Sequence, residues 1–224
     1  MPDSARVRGL YAIADTLYLS EPRLVAAVGE AIAGGARVIQ YRDKGADPVR
    51  RANQAPASRA LLVTPYCLEA RALAPTGDTL DACALVLATL GADGVHIGRD
   101  DPGITDARRL LGADRLIGMS CYNELGRALA AQSLGADYVA FGSFFPSPTK
   151  PQAVRAGVEL LRAARAQLRI PIVAIGGITP ENGADLLAAG ADALAVIGGL
   201  FNQPDIRAAA RRYARLFDSP AIPA

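Results

Sequence analysis

The chain has 224 residues, 51% hydrophobic and 5% aromatic, with 24 basic against 22 acidic side chains and a net charge of +2. That much apolar material excludes a largely disordered chain. A near-neutral balance with no long basic block argues against a nucleic-acid surface.

Short apolar runs recur along the chain, each followed by a turn signal and then a helix-like stretch. LYAIAD (10–15) is the first predicted strand, followed by the helical pattern PRLVAAVGEAIAGG (22–35) and the second strand RVIQYRDK (37–44). ALLVTPYC (60–67) is the candidate third strand, with TLDACALVLATL (79–90) as the helix after it; this is the least patterned part of the chain. GVHIG (94–98), LIGMSCY (116–122), YVAFGSF (138–144), PIVAIGG (171–177) and ALAVIGG (193–199) supply five more strands, with helical patterns at 154–168 and 180–190. Runs this short and apolar fit strands covered on both faces, as in a parallel sheet. A weak repeat marks the junctions: GARVI (35–39), GADGV (91–95), GADYV (135–139) and GADAL (190–194) each close a helix and open a strand. Glycine there meets the positive φ of a helix C-cap, and the aspartate caps or turns the chain. The expected fold is α/β: a single-domain (β/α)8 TIM barrel over residues 1–218, with 219–224 as a disordered tail. A doubly wound open sheet is the alternative.

Cys67, Cys83 and Cys121 are odd in number and lack metal-type spacing, so they read as reduced thiols. MPDSARVRG at the start has no apolar leader segment, and ACALVLATL (82–90) is too short to span a bilayer. These features predict a cytoplasmic protein with no membrane partner.

In a (β/α)8 barrel the site forms at the carboxyl ends of the strands. Strand two ends in Gln40-Tyr41-Arg42-Asp43-Lys44, whose alternation puts Gln40, Arg42 and Lys44 on one face. Arg offers a fork to phosphate oxygens and Lys a point charge; exposed surface charges are the plainer reading. Strand four ends in Gly98-Arg99-Asp100-Asp101-Pro102. Its paired carboxylates suit Mg²⁺, or a helix opening with Asp as N-cap. His96, the sole histidine, is expected to be packed and hydrogen-bonded, without a chemical role. Strands five and six are expected to end at Ser120 and Ser143, and Ser147, Thr149 and Lys150 follow in a proline-stiffened loop. Hydroxyls, turn N–H groups and an ammonium make an anion cradle; a plain surface turn is the alternative. Strands seven and eight end in Gly176-Gly177-Ile178 and Ile197-Gly198-Gly199, where glycine lets an oxyanion approach backbone N–H groups before a helix. Tight turns would use the same residues. Taken together there is a glycine-rich region suited to a monophosphate and a cationic, hydroxylated one suited to a diphosphate with Mg²⁺. With no nucleophilic triad visible, the chemistry expected is positioning and charge stabilisation around a leaving diphosphate.

The stretches IQYRDK (39–44), GADGVHIGRDD (91–101), IGMS (117–120), FGSFFPSPTK (141–150), IVAIGGI (172–178) and AVIGG (195–199) resemble the thiamine-phosphate synthase family, in that family's order. The resemblance covers most of the chain outside residues 45–90 and implies a (β/α)8 barrel. It implies the joining of hydroxymethylpyrimidine diphosphate to a thiazole phosphate, with diphosphate leaving first. By match, Gln40 would touch the pyrimidine, and Arg42, Lys44, Ser120, Ser147, Thr149 and Lys150 would hold diphosphate, Ser147 standing where a threonine is usual. Arg42, Lys44, Ser120 and Lys150 carry the expected catalytic role. Asp101 would bind Mg²⁺, and Gly177, Ile197 and Gly198 would face the thiazole phosphate, Gly198 where a serine is commoner. The family's Ile/Val-Asn-Asp stretch at the end of strand three is absent; Leu80-Asp81-Ala82 stands there, with Asp81 as the candidate second metal ligand. Divergence and a shifted reading frame both account for that segment. Two further readings stay open: a thiazole tautomerase-like enzyme, and a non-catalytic phosphate-binding relative that lost the metal motif. The expected partners are small phosphorylated molecules, and a homo-oligomer is left open.

Overall fold

The computed structural model describes residues 7–42, 66–69, 92–99, 101, 103–147 and 152–218. Eight parallel strands close into a barrel in sequence order, with the first paired to the last. They are β1 (Gly9–Asp15), β2 (Ala36–Arg42), β3 (Tyr66–Glu69), β4 (Gly94–Ile97), β5 (Leu116–Tyr122), β6 (Tyr138–Phe141), β7 (Ile172–Ile175) and β8 (Ala193–Val196). The TIM-barrel expectation holds and the open-sheet alternative does not.

Strand boundaries compare with the sequence reading as follows. β3 (Tyr66–Glu69) shares Tyr66 and Cys67 with the candidate 60–67, whose residues 60–65 lie outside the described residues. β5 runs over Leu116–Tyr122, the bounds of the predicted run LIGMSCY, so it continues two residues past Ser120, with a register irregularity against β6 between Ser120 and Tyr122. β6 stops at Phe141, short of Ser143. Beyond it the chain leaves the ladder to pack on the neighbouring turn: Phe144 and Phe145 donate backbone N–H groups to the carbonyls of Ile175 and Gly176 at 3.2 and 2.9 Å.

Alternation along each strand divides the apolar residues between two cores. Leu10, Ala12 and Ala14 of β1 face the surrounding helices, while Tyr11 and Ile13 face the lumen with Val38, Leu116, Tyr138, Ala140, Val173, Ala193 and Ala195. The helices outside are α1 (Glu21–Ala33), α2 (Ile104–Leu111), α3 (Leu125–Ser133), α4 (Val158–Gln167), α5 (Gly183–Ala188), α6 (Gly198–Phe201) and α7 (Ile206–Ala214), counted among the described residues. α7 is capped by the Asp205 carboxylate, which accepts from the Ala208 N–H at 2.8 Å. It buries Ile206, Ala209, Ala210 and Tyr213.

The repeated Gly-Ala junctions, three of which continue with Asp, carry two devices. Gly35, Gly135 and Gly190 have φ of 105°, 92° and 108°, where a side chain would be strained; Gly91 lies outside the described residues. The aspartates of two junctions do not cap their own turn. Asp137 accepts the Ile117 N–H at 2.7 Å and Asp192 the Ile172 N–H at 2.9 Å, pinning the start of the preceding strand. Arg108 and Arg165 balance these carboxylates from the helices. No helix among the described residues is long and apolar enough to cross a membrane.

Candidate active site

The strand register assembles the site. β1 and β2 align Asp15 with Arg42 and Ile13 with Gln40. Arg42 is buried and forms an ion pair with Asp15, a fully buried carboxylate. The other Asp15 oxygen accepts the Leu17 N–H at 2.9 Å, so both oxygens are satisfied. The guanidinium is thus held under the mouth rather than splayed in solvent, which corrects the surface-charge alternative. Gln40 is also buried, with its Oε1 accepting from the Tyr11 hydroxyl at 3.0 Å.

From Gln40 a hydrogen-bonded chain crosses the lumen. The Tyr11 and Tyr138 hydroxyls lie 2.8 Å apart, Tyr138 lies 3.1 Å from His96 Nδ1, and His96 Nε2 lies 2.8 Å from Ser120 Oγ. His96 and Tyr138 stack with ring centroids 5.6 Å apart. They meet because β4, β5 and β6 set His96 level with Gly118 and Gly118 level with Tyr138. A Cβ on Gly118 would overlap the Tyr138 ring. The imidazole pKa falls from 6.5 to about 4, because burial disfavours the cation and the Arg42 charge adds to the effect. His96 is therefore neutral at physiological pH. It is packed and hydrogen-bonded as expected, but its partner is a candidate site hydroxyl.

At the ends of β4 and β5, the Asp101 carboxylate accepts the Gly98 N–H at 2.6 Å. It closes the turn instead of capping the following helix, whose N-cap is Gly103; the expectation of an aspartate N-cap is corrected. Arg127 of α3 donates its Nε–H to the Ser120 carbonyl at 2.9 Å and a guanidinium N–H to the Gly98 carbonyl at 3.4 Å. One side chain thus ties the backbone under Ser120 to the turn that holds Asp101.

Across the mouth, Gly176 and Gly177 have φ of 104° and 63°. A Cβ on Gly176 would overlap Ser143 and one on Gly177 the Pro146 carbonyl, so these glycines admit the loop that carries Ser147. Gly198 opens α6, with Ile197 half-buried just before it. The first N–H groups of a helix have no partner inside it. The Tyr213 hydroxyl of α7 donates to the Ile178 carbonyl at 2.9 Å and would stand 2.7 Å from a Cβ on Gly199, so it buttresses both glycine turns.

The structure thus gathers Gln40, Arg42, Ser120 and Asp101 at the rim that also carries Ser147, Gly177, Ile197 and Gly198. Lys44, Thr149, Lys150 and Asp81 lie outside the described residues. Asp15, Tyr11, Tyr138, Arg127 and Tyr213 were not singled out by the sequence reading. The usable signal for Asp15 was register, since strands one and two end in residues of opposite charge.

Residues 10–200 match the family described as thiamine monophosphate synthase. The chain belongs to this family. It is 51% identical over 220 residues to the thiamine-phosphate synthase of Nitrosococcus oceani, covering 98% of this chain and 97% of that one. It is 49% identical over 209 residues to the thiamine-phosphate synthase of Thiobacillus denitrificans, covering 93% and 94%. Among solved structures, the thiamine phosphate pyrophosphorylase of Pyrococcus furiosus superposes with a TM-score of 0.81 at 31% identity, over 96% of this chain and 97% of that one. The family likeness therefore spans the 45–90 segment, where the sequence motifs lapse.

Proposed function

We propose that the protein is a transferase that joins hydroxymethylpyrimidine diphosphate to a thiazole phosphate, giving thiamine phosphate and diphosphate. The observation that carries this reading is one barrel end that holds Gln40 and Arg42 of β2 and Ser120 of β5 together with the Gly177 and Gly198 turns that follow β7 and β8. It offers a ring contact, a cationic anion site and a separate backbone anion site. Relatives named thiamine-phosphate synthase support it; neither the tautomerase-like nor the non-catalytic reading finds support among them.

In the reaction the bond between the pyrimidine methylene carbon and the diphosphate oxygen breaks, and its electron pair leaves with diphosphate. The thiazole nitrogen then gives its lone pair to the methylene cation, forming the new C–N bond. No general base is needed for either event, which suits a site whose histidine is neutral and hydrogen-bonded at both nitrogens. Arg42 stabilises charge on the departing oxygens, with Lys44, Thr149 and Lys150 assigned the same task from the sequence. Ser120 and Ser147 orient the diphosphate, and Gln40 orients the ring. Gly177, Ile197 and Gly198 hold the second substrate's phosphate through backbone N–H groups.

Mg²⁺, when bound, would neutralise diphosphate charge. Asp101 and Asp81 are the carboxylates assigned to it. No group of three metal-ligating side chains occurs among the described residues. Mg²⁺ keeps much of its shell as water and phosphate, so one or two carboxylates with substrate oxygens would be enough to hold it. Formation of thiamine phosphate from both substrates, measured with and without Mg²⁺, tests the reading. Tight substrate binding without product, with Mg²⁺ saturating, would overturn it.

A further inference from the structure

We propose that Tyr11, Tyr138 and His96 are positioning residues that couple the amide orientation of Gln40 to the hydroxyl of Ser120, so that an anion at Ser120 sets which amide atom Gln40 shows to the bound ring. This deepens the functional reading above and rests on it.

A phenol has one proton to donate, and a neutral imidazole is a donor at one nitrogen and an acceptor at the other. With Tyr11 donating to Gln40 Oε1, the shared contact of the two tyrosines requires Tyr138 to donate to Tyr11. The Tyr138 oxygen then takes its proton contact from His96 Nδ1–H. His96 Nε2 is left as an acceptor, and Ser120 donates to it. In this arrangement Ser120 turns only lone pairs outward, and Gln40 turns its NH₂ outward. Reversing every bond gives the other arrangement. Gln40 Nε2 donates to Tyr11, Tyr11 to Tyr138, Tyr138 to Nδ1, and Nε2–H to Ser120. Ser120 then offers its O–H outward and Gln40 its carbonyl. The number of protons is the same; the imidazole has exchanged its Nδ1 proton for one on Nε2.

Oxyanions only accept hydrogen bonds. A diphosphate oxygen at Ser120 therefore selects the second arrangement, and Gln40 then presents an acceptor to the ring, as an exocyclic amino group requires. Without the anion Gln40 presents a donor. The neutrality of His96 matters, because an imidazolium would donate in both directions and break the coupling. The route is built into the barrel: Tyr11, Gln40 and His96 are buried, and Gly118 clears the space in which His96 and Tyr138 meet.

Because His96 is the only histidine, its imidazole ¹⁵N signals in the untagged full-length protein report the tautomer directly. The expected result is Nδ1–H without ligand and Nε2–H on saturation with inorganic diphosphate, with Ser120→Ala abolishing the change. An unchanged tautomer, or protonation of both nitrogens, overturns the proposal. Calorimetry supplies a second readout. Diphosphate should change the affinity of 4-amino-5-hydroxymethyl-2-methylpyrimidine by about 5- to 150-fold, the usual span of coupling between sites. That factor should fall to one in Tyr138→Phe and, independently, in Tyr11→Phe. A factor of one in the unsubstituted protein, or one unaffected by both substitutions, overturns the coupling while leaving the functional reading intact. Failure of the unsubstituted protein to bind diphosphate at all overturns both.

Discussion

Arg42 is paired with Asp15 in the structure and is proposed to hold diphosphate, and the two roles together predict a specific pattern of damage. Arg42→Met keeps most of the stem volume and removes the charge, leaving the buried Asp15 carboxylate without its cation. Removing one partner of a buried ion pair costs about 3–5 kcal/mol. For a chain of this size each kcal/mol moves Tm by about 2–4 °C, so the variant should melt about 6–20 °C lower. Asp15→Asn in the same chain removes the orphaned charge and keeps an oxygen to accept the Leu17 N–H. The double variant should therefore regain about 2 kcal/mol or more over Arg42→Met, though it has one more substitution. Urea unfolding of the wild type, both singles and the double measures the cycle. Synthesis of thiamine phosphate by the same four proteins separates the tasks: stability should return in the double variant and activity should not. A double variant no more stable than Arg42→Met would refute the ion-pair argument. One with normal activity would refute the assignment of Arg42 to diphosphate.

Three further outcomes are expected. The folded-state pKa of His96 lies near 4, below its ordinary 6.5; between those values the unfolded chain takes up a proton that the lumen refuses. The stability this contributes is complete above about pH 6.5 and falls as pH drops toward 4, by about 3 kcal/mol in all. His96→Gln should remove that component of the urea-midpoint profile, and a stability difference from wild type that does not vary with pH would count against it. Gly118→Ala should cost about 1–3 kcal/mol by overpacking against Tyr138 and should perturb the His96 ¹⁵N signals. A neutral effect on both would show that the lumen relaxes around a methyl group. Asp101→Ala should raise the Mg²⁺ concentration needed for half-maximal synthesis by tenfold or more, about 1.4 kcal/mol; an unchanged requirement would remove Asp101 from the metal site.

The fold was legible because its strands are short, apolar on both faces and punctuated by Gly-Ala-Asp junctions, a pattern that parallel packing under helices demands. At the rim, the residues that announce themselves in sequence are cations, hydroxyls and glycines at strand ends, since these carry charge and turn chemistry. What sequence did not reveal depends on register instead. Asp15 looks like a turn residue until β1 is slid along β2 and it meets Arg42. Tyr11 and Tyr138 look like strand apolar residues until their hydroxyls are brought within 2.8 Å of each other.

Gly118 shows how far that dependence on register reaches. As one letter in LIGMS it suggests a weak point in a strand. In the barrel it lies between His96 and Tyr138 at the same level, and its missing side chain is the space they occupy. The ring contact made there places His96 Nε2 on Ser120. The absence of a Cβ on the middle strand therefore decides where a hydroxyl two residues further along can turn its proton. The glycine that makes the space and the serine proposed to bind are parts of one arrangement, visible only once the pairing of β4, β5 and β6 is known.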